Sequence, residues 1–245
     1  MSISKRQEQI LELLQENISL TVEKLSELTY TSPSSIRRDL TKLQNLHLLK
    51  RTHGGASLPE TASKIIPVEN RMEINTAAKK KIAKKASSLI CDGQYIMLDS
   101  SSSASFLIPY IANHKNITLF TNNMLTAIDA VNHGINVHCL GGFNTNNSFT
   151  LSGPECYRAI SEIHTDIFFF SLNSLDKDGI ISSPSEDGIY LRKLMMKNSD
   201  KSVFLCDSQK FNRKSPYTFS SIDDVDVAVF DVPYKELNAK CEIIV

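Results

Sequence analysis

Residues 32–56 read SPSSIRRDLTKLQNLHLLKRTHGGA. Ser32 offers an N-cap hydroxyl and Pro33 suits the first helical position, so a helix begins here. Ile36, Leu40 and Leu43 recur at i, i+4 and i+7, giving that helix one apolar stripe. The stripe faces inward, which sends Ser34, Ser35, Arg37, Arg38, Thr41 and Lys42 to the exposed face. LLKRTHGG then alternates apolar and basic residues into a tight His53-Gly54-Gly55 turn, the pattern of a short β-wing, with Lys50, Arg51 and His53 free to meet phosphates.

Upstream, VEKLSELT places Val22, Leu25 and Leu28 on a second stripe, with Thr21 as cap and Glu23 early in the helix. Ile3, Ile10, Leu11, Leu13 and Leu14 form a third stripe, with Lys5, Arg6, Gln7 and Glu8 on the other side. Short helices, a turn, a hydroxyl- and arginine-rich helix start and a wing describe a winged helix-turn-helix over residues 1–57. Free N–H groups and hydroxyls at a helix N-terminus take phosphate, and arginine reads guanine bidentately in the major groove. Ser32, Ser34, Ser35, Arg37, Arg38, Thr41, Lys42, Lys50, Arg51 and His53 are therefore the expected contacts to double-stranded DNA. An ordinary helical bundle with a solvated basic face is the competing reading, and the combination of caps, spacing and wing weighs against it.

The 245 residues carry 27 Lys+Arg against 27 Asp+Glu, with 41% hydrophobic and 22% charged residues, which excludes a disordered or collagen-like chain. Zero net charge hides a small split, with eight bases to six acids in residues 1–58 and the reverse imbalance after them. No apolar run approaches the length of a membrane helix, and the start MSISKRQEQ lacks a signal core, so a cytoplasmic protein is expected. Cys91, Cys139, Cys156, Cys206 and Cys241 are spread mostly through apolar runs and read as reduced, buried thiols. His47, His114, His133, His138 and His164 show no metal spacing, and no metal or cofactor is expected.

Residues 58–75 mix proline, serine and charge without periodicity and are read as a linker. From there to residue 245 the pattern becomes strand and helix units. Apolar runs at 95–99, 117–121, 135–142, 166–172, 202–207 and 227–232 alternate with helical stretches such as IAKKASSLI, NMLTAIDAVNHG and PECYRAISEIH. Near-continuous apolar strands separated by helices predict a mostly parallel sheet covered on both faces, an α/β domain. Ligands of such sheets bind at the strand carboxyl ends. The residues there are Asp99, Ser100, Ser101, Ser102 and Ser103; Thr121 and Asn122; Gly141 and Gly142; Ser152 and Gly153; and Asp207 with Lys210. Hydroxyls, helix-start N–H groups and a lysine suit an anion, while Asp99, Asp207 and Asn122 suit sugar hydroxyls, so a small phosphorylated polyol is the expected occupant. Lys79, Lys80, Lys81, Lys84 and Lys85 read as a solvated basic face, the alternative being a phosphate contact or an inter-subunit contact with Asp223, Asp224 and Asp226.

Arg6-Gln7, Ile36-Arg37-Arg38-Asp39-Leu40 and Arg51-Thr52-His53-Gly54-Gly55-Ala56 at this spacing resemble the DeoR family of bacterial transcription regulators, and the likeness runs on from about residue 69 to 232. Thr31 stands where that family usually has valine, and Leu48 replaces a frequent Gly-Leu step. The resemblance implies a sensor domain folded like ribose-phosphate isomerases, with a pocket for sugar phosphates. Asp207…Lys210-Phe211 and Ser152-Gly153-Pro154 match the family's elements, and Glu186 lies at a further ligand position. The family's Asp-x-Gly-Thr-Thr motif is here Asp99-Ser100-Ser101-Ser102-Ser103, and a serine at 101 is strained if that position needs positive φ. The implied function is a repressor of a sugar-uptake or sugar-catabolism operon, released by a phosphorylated sugar. Modules this small need two copies on DNA, so a homodimer or larger assembly is expected. The rivals are an isomerase-like enzyme using Asp99 or Asp207, with a DNA-binding appendage, and a regulator whose sensor domain serves oligomerisation alone.

Overall fold

A computed structural model describes residues 3–17, 19–46, 48–57, 71–144, 149–186 and 188–245, and the chain divides into compact units spanning 1–76 and 77–245. Most of the expected linker, residues 58–70, lies outside the described residues, as do His47 and Asp187.

The first unit runs α1 (Lys5–Glu16), β1 (Ser19–Thr21), α2 (Val22–Leu28), α3 (Pro33–Asn45), β2 (Lys50–Thr52) and β3 (Gly55–Ser57). Each helix start is capped by a hydroxyl: Ser4 in a reciprocal capping box with Gln7, Thr21 accepting from the Lys24 N–H, and Ser32 from the Ser35 N–H ahead of Pro33. Ile10, Leu14, Val22, Leu25, Ile36, Leu40 and Leu43 close the core. The wing β2–β3 forms as expected, and β1 adds a third antiparallel strand in the order β1-β3-β2. A three-residue strand carries no periodicity, so Ser19–Thr21 was illegible. Its pairing depends on Gly55, where a Cβ would sit 2.2 Å from the Leu20 carbonyl oxygen. Gln7 corrects the expected polar face of α1, because it is buried and donates from Nε2 to Asp39 Oδ1 at 2.7 Å.

The second unit is built on seven parallel strands in the order β15-β14-β12-β9-β4-β5-β6. These are β4 (Tyr95–Leu98), β5 (Thr118–Thr121), β6 (Asn136–Cys139), β9 (Thr165–Phe170), β12 (Ser199–Cys206), β14 (Val227–Phe230) and β15 (Glu242–Ile244). Side chains alternate between the faces, and both faces are apolar. Ile96, Leu98, Leu119, Phe169 and Leu205 pack on one side, Met97, Phe168, Phe170, Phe204 and Phe230 on the other. The inner strands therefore read as near-continuous hydrophobic runs, while the edge strands β6 and β15 are largely exposed. Helices α4 (Thr76–Ala86), α5 (Ser102–Ser105), α6 (Ile108–Ile111), α7 (Met124–Asn132), α8 (Pro154–Ser161) and α9 (Ile189–Lys197) complete the unit. A hairpin of β7 (Phe143–Asn144) with β8 (Leu151–Ser152) was not anticipated. Nor was an antiparallel sheet of β10 (Ser174–Leu175), β11 (Ile180–Ser183) and β13 (Tyr217–Ser221).

Two expectations are corrected. Cys91 and Cys139 are exposed, leaving only Cys156 and Cys206 fully buried; burial pushes the Cys156 thiol up to about 11. The lysine face of α4 is not simply solvated, since Lys79 is buried, Lys85 Nζ donates to the Phe230 carbonyl at 3.1 Å and Lys81 Nζ to that of Asp231. The acidic cluster is also engaged locally: Asp226 accepts from Ser202, Asp224 from the Ser221 N–H, and Asp223 from the Lys240 N–H.

Candidate functional site

Parallel pairing brings the ends of β4, β9 and β12 side by side, and their loops carry a continuous polar network. Asp99, 1% exposed, accepts from the Ser101 N–H at 3.0 Å and from Arg192 Nε at 2.6 Å. The Ser171 N–H, at the end of β9, lies 3.4 Å from the same carboxylate. Ser171 Oγ accepts from Lys210 Nζ at 2.8 Å and donates to the Leu205 carbonyl, and Lys210 pairs with Asp207 at 3.1 Å. Two cation–carboxylate pairs thus flank one serine, and their charges cancel within each pair. Nearby, the Asp231 carboxylate accepts from both the N–H and the hydroxyl of Ser208.

Beside this network lie buried polar atoms with no protein partner: Ser103 Oγ, Asn122 Oδ1 and Asn123 Nδ2. The orientation of each amide is fixed by its other end. Asn122 Nδ2 donates to the Leu151 carbonyl at 2.9 Å, and Asn123 Oδ1 caps α7 by accepting from the Thr126 N–H. The two loops are tied by the Ser105 and Thr126 hydroxyls, 2.8 Å apart. A buried donor or acceptor without a partner costs about 1–3 kcal/mol, and all three of these lie in the connections that follow β4 and β5.

Ser101 is not strained. Its φ is −82°, and its hydroxyl caps α5 by accepting from the Ala104 N–H at 3.2 Å. The serine therefore replaces glycine's freedom with a cap. Ser101→Ala is expected to cost about 1 kcal/mol of stability in urea unfolding, through loss of that cap. Gly142 and Gly153 are needed by the β7–β8 hairpin itself: both have positive φ, and a Cβ would meet the Ser152 carbonyl oxygen and the Phe143 ring at 2.3 Å. Gly141 is exposed with open space around it, and Ser152 Oγ lies 3.4 Å from Tyr157 Oη. Thr121 is buried, its hydroxyl accepting from the Asn123 N–H. Glu186 is exposed.

Arg192 and Ser171 join this network without having been expected there. Arg192 belongs to α9, whose start carries no side-chain cap, and Ser171 follows an unbroken apolar run. Among the described residues no group of His, Cys, Asp and Glu is placed to hold a metal.

In the first unit, α3 buries Ile36, Asp39, Leu40 and Leu43, and leaves Ser34, Arg37, Arg38 and Thr41 exposed on one face. Ser32 Oγ lies within 3.1 Å of the Ser34 and Ser35 hydroxyls, a cluster at the helix start. Lys50 and His53 are exposed, and Lys42 half so. Arg51 instead folds back against α3, its Nη1 3.4 Å from the Arg37 carbonyl oxygen and 3.5 Å from Thr41 Oγ1. The turn before α3 holds Tyr30 at φ +50°, 96% exposed.

Residues 6–62 match the family described as a DeoR-like helix-turn-helix domain, and residues 74–232 match the DeoR C terminal sensor domain. The chain belongs to the DeoR family. Among similar proteins, the HTH-type transcriptional regulator GolR of Listeria innocua is 32% identical over 93% of this chain and 90% of its own length. The glycerol-3-phosphate regulon repressor of Escherichia coli is 27% identical over 95% of this chain and 92% of its own length. These DeoR relatives carry the names of transcription regulators and repressors. Ribose 5-phosphate isomerase A of Methanocaldococcus jannaschii aligns over 56% of this chain and 55% of its own, with a TM-score of 0.42 and 19% identity. No helix among the described residues is long and apolar enough to cross a membrane.

Proposed function

We propose that this DeoR-family chain is a repressor of a sugar-uptake or sugar-catabolism operon, binding operator DNA through α3 and the wing and released by a sugar phosphate at the strand ends. The observation that carries the effector reading is the mixture of unpartnered atoms beside the two ion pairs. Asn122 Oδ1 accepts only, so it calls for a donor, which a sugar hydroxyl has and a fully ionised phosphate lacks. Arg192 and Lys210 supply the donors that a phosphate needs. A ligand with both groups satisfies both ends. The relative named as a glycerol-3-phosphate regulon repressor points the same way.

Asp99 and Asp207 are each committed to a cation, which favours a binding site over an acid–base pair for isomerisation. Two winged helices on repeated half-sites give the DNA affinity, so a homodimer or larger assembly is part of this reading. To weaken operator binding ten- to a hundredfold, the effector's preference for the released state need be only about 1.4–2.8 kcal/mol.

The test is fluorescence anisotropy of the protein on its own promoter DNA at fixed salt, titrated with glycerol 3-phosphate, ribose 5-phosphate, glucose 6-phosphate and their unphosphorylated counterparts. Release by a phosphorylated member alone is expected. Tight binding indifferent to every member would discard the effector assignment and leave the DNA-binding one.

A further inference from the structure

The geometry points to Arg192, on α9, as the residue that anchors the effector's phosphate, with Asp99 as its orienting counter-ion. The inference rests on the sugar-phosphate reading above and says which side chain recognises the anion. Arg192 is 9% exposed, and three of its five N–H donors have partners: Nε on Asp99 at 2.6 Å, Nη1 on the Gly188 carbonyl at 3.2 Å, and Nη2 near Ser100 Oγ at 3.4 Å. One N–H on each terminal nitrogen is left. A guanidinium with one free donor on each terminal nitrogen can reach two oxygens of a phosphate.

The surroundings hold that guanidinium fork in place before any ligand arrives. Asp99 fixes the Nε edge and is itself fixed by the Ser101 N–H. Gly188 stands at φ +80°, and a Cβ there would come within 2.6 Å of Nη1, so the close seat of the guanidinium requires glycine at this position. Ser100, which Arg192 approaches, lies just ahead of α5, whose Ser103 hydroxyl is buried without a partner. The guanidinium therefore meets the same strand–helix connection that leads to that hydroxyl. Lys210 is the weaker claimant: a single ammonium already holding Asp207 and Ser171, with no second nitrogen to present.

Removing Arg192 alone leaves a buried carboxylate, so the test uses variants that separate anchoring from folding. Isothermal titration with inorganic phosphate and with glycerol 3-phosphate, ribose 5-phosphate and glucose 6-phosphate is run on the full chain and on D99N, R192K and the double variant D99N/R192Q. The double variant replaces the pair by smaller neutral amides and buries no charge, and it is expected to lose roughly 30-fold or more in affinity for the best phosphate ligand. R192K keeps the charge without the fork and should lose roughly tenfold. D99N releases the fork from its counter-ion and should bind inorganic phosphate more tightly than the unaltered chain does. A purely structural role for the pair predicts the opposite, with D99N and D99N/R192Q weakened alike. Equal phosphate affinity in the unaltered chain and the double variant would overturn Arg192 as anchor while leaving the sugar-phosphate reading in place. No binding of any of these phosphates to the unaltered chain would overturn both.

Discussion

Arg37→Ala is expected to weaken operator binding by about 1–3 kcal/mol, roughly five- to 150-fold, with no measurable change in stability. The side chain is 56% exposed on α3, and the Glu23 carboxylate lies 3.8 Å from it, beyond a hydrogen bond. An exposed pair of that kind contributes little to folding, so the substitution reports on DNA alone. Arg38 projects from the same face without that neighbour. If Arg37 reads a base edge and Arg38 a phosphate, Arg37→Ala relaxes sequence preference, whereas Arg38→Ala weakens all sequences alike and lowers the salt dependence by about one counter-ion. Anisotropy on operator and scrambled DNA at two salt concentrations separates the cases. Unchanged operator affinity in Arg37→Ala would remove it from the interface.

What the sequence made legible follows from where the physics is local. Caps act within one turn, so Thr21 and Ser32 could be named from their neighbours, and both cap as expected. A strand buried on both faces announces itself as an apolar run, so the five inner strands were visible; of the two edge strands, Asn136–Cys139 was found although largely exposed, and Glu242–Ile244, with an exposed, charged start, was not. The serine loop after Asp99 and the Asp207–Lys210 loop could be found because strand ends recur at regular intervals. The partner of Asp99 could not. Arg192 lies 93 residues away, and pairing over that distance is a property of the packed fold, not of spacing. Ser101 shows the converse error. A motif comparison suggested strain at a substituted glycine, and the backbone there has an ordinary negative φ.

Asp39, in the middle of the arginine-rich helix, is the residue of that motif whose loss should damage the fold most, and Asp39→Ala is expected to destabilise the first unit by about 3 kcal/mol. Its carboxylate is 7% exposed and accepts from Arg6 Nε at 2.6 Å and Gln7 Nε2 at 2.7 Å, joining α1 to α3. Truncation leaves the Gln7 amide buried without an acceptor, whereas Arg6, 43% exposed, recovers water. Arg6→Ala should cost less than Asp39→Ala, because the Gln7 bond survives, but it strips a nearly buried carboxylate of its cation and is not neutral. A unit with so small a core has little stability to spare, so a loss of this size removes a large part of what holds α3 in place. Operator binding then fails together with folding, as a fall in both urea midpoint and active fraction. Arg37→Ala, four residues on from Pro33 at the helix start, should show the reverse pattern of lost binding on an intact fold. The contrast follows from the 200° that separate residues 37 and 39 around a helix at about 100° per residue: one side chain points at the partner and the other at the core. If Asp39→Ala unfolds at the same urea midpoint as the unaltered chain, the Arg6–Asp39–Gln7 network does not join the two helices, and the α1–α3 packing rests on its apolar contacts alone.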